Sequence, residues 1–313
     1  MNLFFATFQS IAVLLGVGLL GFWIIRKRLI PEKALGLLSP LALEIALPCL
    51  IFSNILSNFS PQTIPDWWMF PLWWLGFTVI AALLTILFMI VSHKKTRREF
   101  AISLFFQNGL FIPLALLVGM FPFDPSYQVA LFLFMLFFPT LLFNSYHVFF
   151  KTQDHRLNWK KIFHPIFIVT LLAMGLRLLN VQTYLPDIVL LVPQMVGAMA
   201  VPLIMIILGG NIYSDFHKKG TIYKKEIIKF VGVKNIIFPL IFLSILYLIR
   251  PDYHIALILI LQSAVPPVTA VPLLVKRAGG NQTIVNQFIL ASFLCSLITI
   301  PIIISLFSVL YPI

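Results

Sequence analysis

Apolar runs of helical length follow one another down the chain, with short polar connections between them. A helix needs about 20 apolar residues to cross roughly 30 Å of hydrocarbon, and ten runs reach that length. Their cores are residues 5–25, 34–57, 69–91, 100–121, 127–150, 165–184, 187–209, 229–249, 254–275 and 283–310. The pattern predicts an all-α integral membrane protein of ten transmembrane helices, with no soluble domain between them.

Two of the ten cannot be continuous. Span four carries Phe106-Gln107-Asn108-Gly109-Leu110-Phe111-Ile112-Pro113 in its middle. Proline has no N–H and its ring crowds the carbonyl four residues back, so Pro113 strips Gly109 of its helical partner at a depth where water cannot replace it. Span nine reads Gln262-Ser263-Ala264-Val265-Pro266-Pro267-Val268-Thr269-Ala270-Val271-Pro272. Its prolines free the carbonyls of Gln262, Ser263 and Val268 in the same way. With Pro267 at the first position of a new half-helix, the N–H groups of Val268 and Thr269 are expected to stand open, as are those of Leu114 and Ala115 in span four. Counted from the span ends, both breaks fall at the same depth, near Leu110 and Val265.

Two readings of these breaks stay open. Either the prolines only kink their helices and neighbouring hydroxyls and waters satisfy the freed groups, or the two breaks form a solute site. Broken backbone at membrane depth is tolerated where it is buried in protein or lines a polar cavity. On the second reading Gln107, Asn108, Gly109, Pro113, Gln262, Ser263, Pro266, Pro267, Val268 and Thr269 are substrate-binding positions. Amide side chains, loose carbonyls and the positive ends of half-helices suit a small anion.

Ten spans divide into five and five, and an odd number per half makes the second half enter the membrane inverted. The expected repeats are residues 1–150 and 151–313. Leu47-Pro48-Cys49-Leu50-Ile51 in span two matches Val201-Pro202-Leu203-Ile204-Met205 in span seven at an offset of 154, and Gln107-Asn108-Gly109 matches Gln262-Ser263-Ala264 at 155. A shared offset is the expected trace of an inverted repeat.

Glu44 is the one acidic residue deep inside a span, and Pro48 disturbs the backbone bond to its carbonyl. Burying it ionised costs on the order of 3 kcal/mol. It is either a proton-coupling carboxyl or a protonated acid bonded to a neighbouring helix. Arg177 lies near the end of span six and can snorkel to the interface.

Composition agrees with the pattern: 60% of residues are hydrophobic and 10% charged, and the mean hydropathy is +1.02. The net charge of +12 would fit a nucleic-acid binder until its distribution is examined. Every Lys and Arg except Arg177 and Arg250 falls on one side of the ten-span topology, in clusters after spans one, three, five, seven and nine. The positive-inside rule makes that side cytoplasmic and puts both termini outside. No nucleic-acid partner is expected, while contact with anionic membrane lipid is. The residues before span one carry no positive charge, so it is expected to be retained rather than cleaved. Cys49 and Cys295 lie inside spans without metal spacing, and the histidines show no ligand pattern. No cofactor, no metal and no catalytic residue are expected.

The chain resembles the auxin efflux carrier family of membrane transporters. The resemblance rests on Asn108-Gly109 to Pro113-Leu114, the Ala264 to Pro272 proline cluster, and Pro31-Glu32 followed by Leu47-Pro48, together with span number, order and loop lengths. It implies spans one, two, six and seven as a dimerising scaffold, and spans three to five and eight to ten as a moving transport domain. Substrate would bind where spans four and nine cross, at Asn108, Pro113 and Pro266 or Pro267, and move by elevator-type alternation in a bacterial cytoplasmic membrane. Gly109 departs from the proline that follows the asparagine in plant members, and a small organic acid is expected in place of auxin.

The sequence is therefore read as a secondary active transporter of a small organic anion, likened to a homodimer. A sodium-coupled bile-acid-type symporter and a membrane solute sensor that moves nothing are the alternatives.

Overall fold

The computed structural model describes residues 3–150, 164–217 and 221–312. Six basic residues counted toward sidedness, Lys151, Arg156, Lys160, Lys161, Lys218 and Lys219, lie outside the described residues.

The described chain is helical, and its elements are α1 (Leu3–Arg26), α2 (Lys33–Pro40), α3 (Leu47–Asn58), α4 (Phe70–Phe88), α5 (Arg97–Phe105), α6 (Phe111–Met120), α7 (Ser126–Phe134), α8 (Phe138–Ser145), α9 (Pro165–Leu178), α10 (Ile188–Gly197), α11 (Ala200–His217), α12 (Lys224–Val231), α13 (Phe238–Ile249), α14 (Tyr253–Ala264), α15 (Val271–Arg277) and α16 (Gln282–Leu310). By length and composition, six helical stretches among the described residues suffice to cross a membrane: Phe8–Arg26, Lys33–Asn58, Trp67–Val91, Ile188–Ser214, Lys224–Ile249 and Gln282–Leu310. The other four expected spans, four, five, six and nine, contain shorter apolar helices, and spans four and nine are interrupted where their prolines predict.

Two of the long stretches contain a wide turn. Leu41–Ala46 joins α2 to α3 and Gly232–Ile237 joins α12 to α13, both as π-helix. The cause is local. Pro48 and Pro239 sit at the start of α3 and α13 and cannot donate to the carbonyls of Glu44 and Asn235. The preceding N–H groups reach one residue further back, Leu47 to the carbonyl of Ala42 and Phe238 to that of Val233. Such turns recur at functional positions, and here they hold the mid-span charges Glu44 and Lys234.

In the packing, α1 runs along α11, while α3 lies against α9 and α10. A second group joins α4, α5 and α7 with α12 to α16. The groups meet where α1 touches α6 and α16. Glycine makes the first contact close: a Cβ on Gly21 would lie 2.1 Å from the carbonyl oxygen of Ile206, and one on Gly209 would lie 1.7 Å from that of Gly18. Small residues let membrane helices approach backbone to backbone.

The second group is stitched at its basic end by Glu226. Its carboxylate accepts from Ser92 Oγ at 2.8 Å, His93 N at 3.1 Å, Thr96 Oγ1 at 3.3 Å and Lys229 Nζ at 2.9 Å. Glu99 similarly accepts from the backbone N–H of Asn281 at 2.9 Å. Arg177 donates from Nε to the carbonyl of Phe59 at 2.5 Å, tying the end of α9 to the end of α3.

Candidate functional site

Helix α5 stops at Phe105 and α6 starts at Phe111; α14 stops at Ala264 and α15 starts at Val271. The two gaps lie against each other. Gln107 and Pro267 form an antiparallel bridge, flanked by two exchanged backbone bonds: Asn108 N–H to the carbonyl of Pro266 at 2.8 Å, and Val268 N–H to that of Phe106 at 2.9 Å. A fragment of two-stranded sheet thus sits inside a helical bundle. It supplies partners to backbone that lipid cannot solvate.

Two of the carbonyls freed by proline find side-chain donors. Gln262 donates its Nε2 to the carbonyl of Gly109 at 2.5 Å, and Lys234 donates its ammonium to the carbonyl of Ser263 at 3.0 Å. Gly109 has no room for a side chain, because a Cβ there would lie 1.9 Å from Gln262 Oε1. The Ser263 hydroxyl turns back to the carbonyl of Ile260.

The geometry corrects two expectations. First, α15 begins at Val271 with Pro272 in its first turn, so Pro267 opens no helix. The Val268 N–H is engaged by Phe106, and Thr269 sits half-buried in the turn before α15. Second, α6 begins two residues before Pro113, and Leu114 N–H bonds to the carbonyl of Leu110. The open first-turn donors are therefore those of Phe111 and Ile112. At the crossing the backbone pairs Gln107 with Pro267, and the Gln262 side chain reaches across to Gly109.

The site is closed. Gln107, Asn108, Gln262 and Ser263 are 4%, 2%, 1% and 0% exposed. Within it Gln107 Oε1 and Asn108 Oδ1 have no hydrogen-bond partner. An unpartnered buried amide oxygen costs about 1–3 kcal/mol, so each is an acceptor suited to a donor, and a carboxamide that turns over presents its N–H groups in the same place. A cavity of about 10 Å³ beside Gln107 and Gln262, walled by Trp74, Phe77 and Phe138, has room for roughly one water. Pro113 is buried in the first turn of α6.

A much larger space, about 490 Å³, lies between α1, α6 and α11, with Gln9, Ser10, Val13, Ala115, Gly119 and Pro202 on its walls. None of the ten predicted positions lines it. It follows the seam between the two helix groups, reaching α6 beyond its first turn.

Glu44 is not brought to the crossing. It is exposed on the Leu41–Ala46 turn and lies within electrostatic reach of His164. Burial lowers the His164 imidazole below its ordinary pKa, and the Glu44 carboxylate opposes that shift.

Lys234 was missed by sequence reasoning, which counted it with the basic cluster before span eight. It is fully buried, with its ammonium 4.5 Å from the centre of the Phe238 ring. The available signal was its distance of ten residues from Lys224, about 15 Å of helix, next to Asn235. That asparagine is likewise buried and exchanges bonds with Ser292, from Nδ2 to the serine carbonyl at 2.9 Å and from the serine Oγ to Oδ1 at 2.7 Å.

A comparison with curated proteins gives no match. The family model described as membrane transport protein, the domain of the auxin efflux carriers, matches residues 6–150 and again 146–304. On that coverage the chain belongs to the membrane transport protein family of the auxin efflux carriers, and it is a membrane transporter and not an enzyme.

Proposed function

We propose that this transporter is a secondary active carrier moving a small organic anion across the cytoplasmic membrane, with the solute held where the two broken helices cross. One observation carries the reading: two interrupted helices exchange backbone bonds inside an apolar bundle and leave the amide oxygens of Gln107 and Asn108 without partners. A purely structural kink has no need of two orphaned amides at one point, because each costs stability. The start of α6 beside them adds the positive end of a half-helix.

The proposed architecture is two inverted five-helix repeats, residues 1–150 and 151–313, with α1, α2–α3, α9 and α10–α11 as scaffold. The remaining helices form the moving domain, in an elevator-type alternation along the seam occupied by the 490 Å³ cavity. The grouping of α1 with α11 and of α3 with α9 and α10 supports this division. A homodimer through the scaffold, with the basic loops cytoplasmic, completes the proposal. Glu44 on the scaffold surface would be less costly against a second copy than against lipid.

The decisive test is counterflow in proteoliposomes with dicarboxylates, monocarboxylates and indole acids. Asn108→Ala is expected to lower counterflow at least about tenfold, the loss of one charge-assisted contact, while the purified protein keeps its thermal transition. Wild-type transport by that variant would overturn the site assignment. Proton coupling is tested separately at Glu44. With Glu44→Gln the dependence of uptake on a pH gradient is expected to disappear, and an unchanged dependence would leave Glu44 a structural acid.

A further inference from the structure

We infer that the Lys234 ammonium is a built-in cation at the acceptor end of α14, filling from within the chain a carbonyl position of the kind that holds coupling cations in carriers with discontinuous helices, so that this chain works without sodium. The inference rests on the carrier reading for its meaning but not for its test. Pro266 and Pro267 remove the helical donors of the Gln262 and Ser263 carbonyls, which lie in the last turn of α14. That turn is the negative end of a half-helix dipole. Unwound carbonyls and half-helix C-terminal ends are the groups that coordinate coupling cations in carriers with discontinuous helices.

Here the position is filled from within the chain. Lys234 is fully buried, donates to the Ser263 carbonyl at 3.0 Å and faces the Phe238 ring at 4.5 Å. Among the described residues no carboxylate forms an ion pair with it. A buried charge without a counter-ion is costly, so the carbonyl dipoles and the ring are what hold it. A lysine is a compact point charge with three donors on a flexible stem, the side chain closest in character to a bound monovalent cation. The π-helical turn Gly232–Ile237 carries Lys234 and fixes where its stem leaves the helix.

The experiment measures thermal unfolding of the purified protein and of Lys234→Ala in sodium chloride and in N-methyl-D-glucamine chloride of equal ionic strength. The wild type is expected to unfold within about 1 °C in the two salts, and Lys234→Ala to gain about 3 °C or more in sodium, because the vacated acceptors then bind the ion. A sodium-dependent gain of about 2 °C or more in the wild type would overturn the inference. So would a folded Lys234→Ala protein indifferent to sodium. If that variant does not fold, the wild-type comparison decides alone, with indifference supporting the inference. Counterflow by the wild type is expected to change less than about twofold when sodium is replaced, and a tenfold loss would also count against it. If no solute is moved at all, the carrier reading fails, while the unfolding measurements still judge Lys234.

Discussion

Gly209→Val is expected to cost about 3 kcal/mol or more of stability, seen as a lower unfolding temperature in detergent and poor recovery of folded protein. The reason is the closeness of α1 and α11. A Cβ on Gly209 would lie 1.7 Å from the carbonyl oxygen of Gly18, a backbone atom with no rotamer to escape into. The helices must separate, and van der Waals contact is what holds membrane helices together. Gly16→Ala is the control, because that glycine is on α1 and meets nothing within 4 Å. It should leave stability unchanged or raise it by up to about 1 kcal/mol, the helix-propensity difference. A Gly209→Val protein as stable as the control would mean that α1 and α11 do not touch as described.

The second large effect is expected at Gln262. Gln262→Leu keeps the approximate volume but removes the donor to the Gly109 carbonyl, leaving that oxygen orphaned in a dry interior. The cost is about 1–3 kcal/mol in unfolding free energy, and counterflow should fall with it because the crossing loses its shape. Gly109→Ala attacks the same bond from the other side by displacing the Gln262 amide. The double variant should therefore be little worse than the worse single one, whereas independent sites would add their costs. Full additivity would show that the 2.5 Å contact carries no energy of its own.

These predictions draw on features with different visibility in the sequence. The breaks were legible because Pro113, Pro266, Pro267 and Pro272 act through a missing N–H, a property of the residue itself. Where the freed carbonyls find donors was not legible. Gln107 lies in the strand pair and Gln262 spans the gap to Gly109, and those contacts depend on how two distant helices meet. Lys234 was misplaced for a related reason: five other lysines close before it in sequence made it look like one more loop charge, and burial is a tertiary property. Glu44 was legible as a mid-span acid, but that its side chain is exposed on a wide turn was not.

The exchanged bonds at the crossing have a mechanical consequence. Asn108 to Pro266 and Val268 to Phe106 bind two separate helices into one strand pair, and in hydrocarbon no water waits to replace either bond. Sliding α5 along α14 would break both at once, so the shear plane of any large movement runs elsewhere. Among the described residues the seam of α1 and α11 against α6 has no such strand pair, and it already contains open volume. For a solute seated at Asn108, the seat and the solute would then be freight on the same platform: carried together, with nothing handed from one helix to the other.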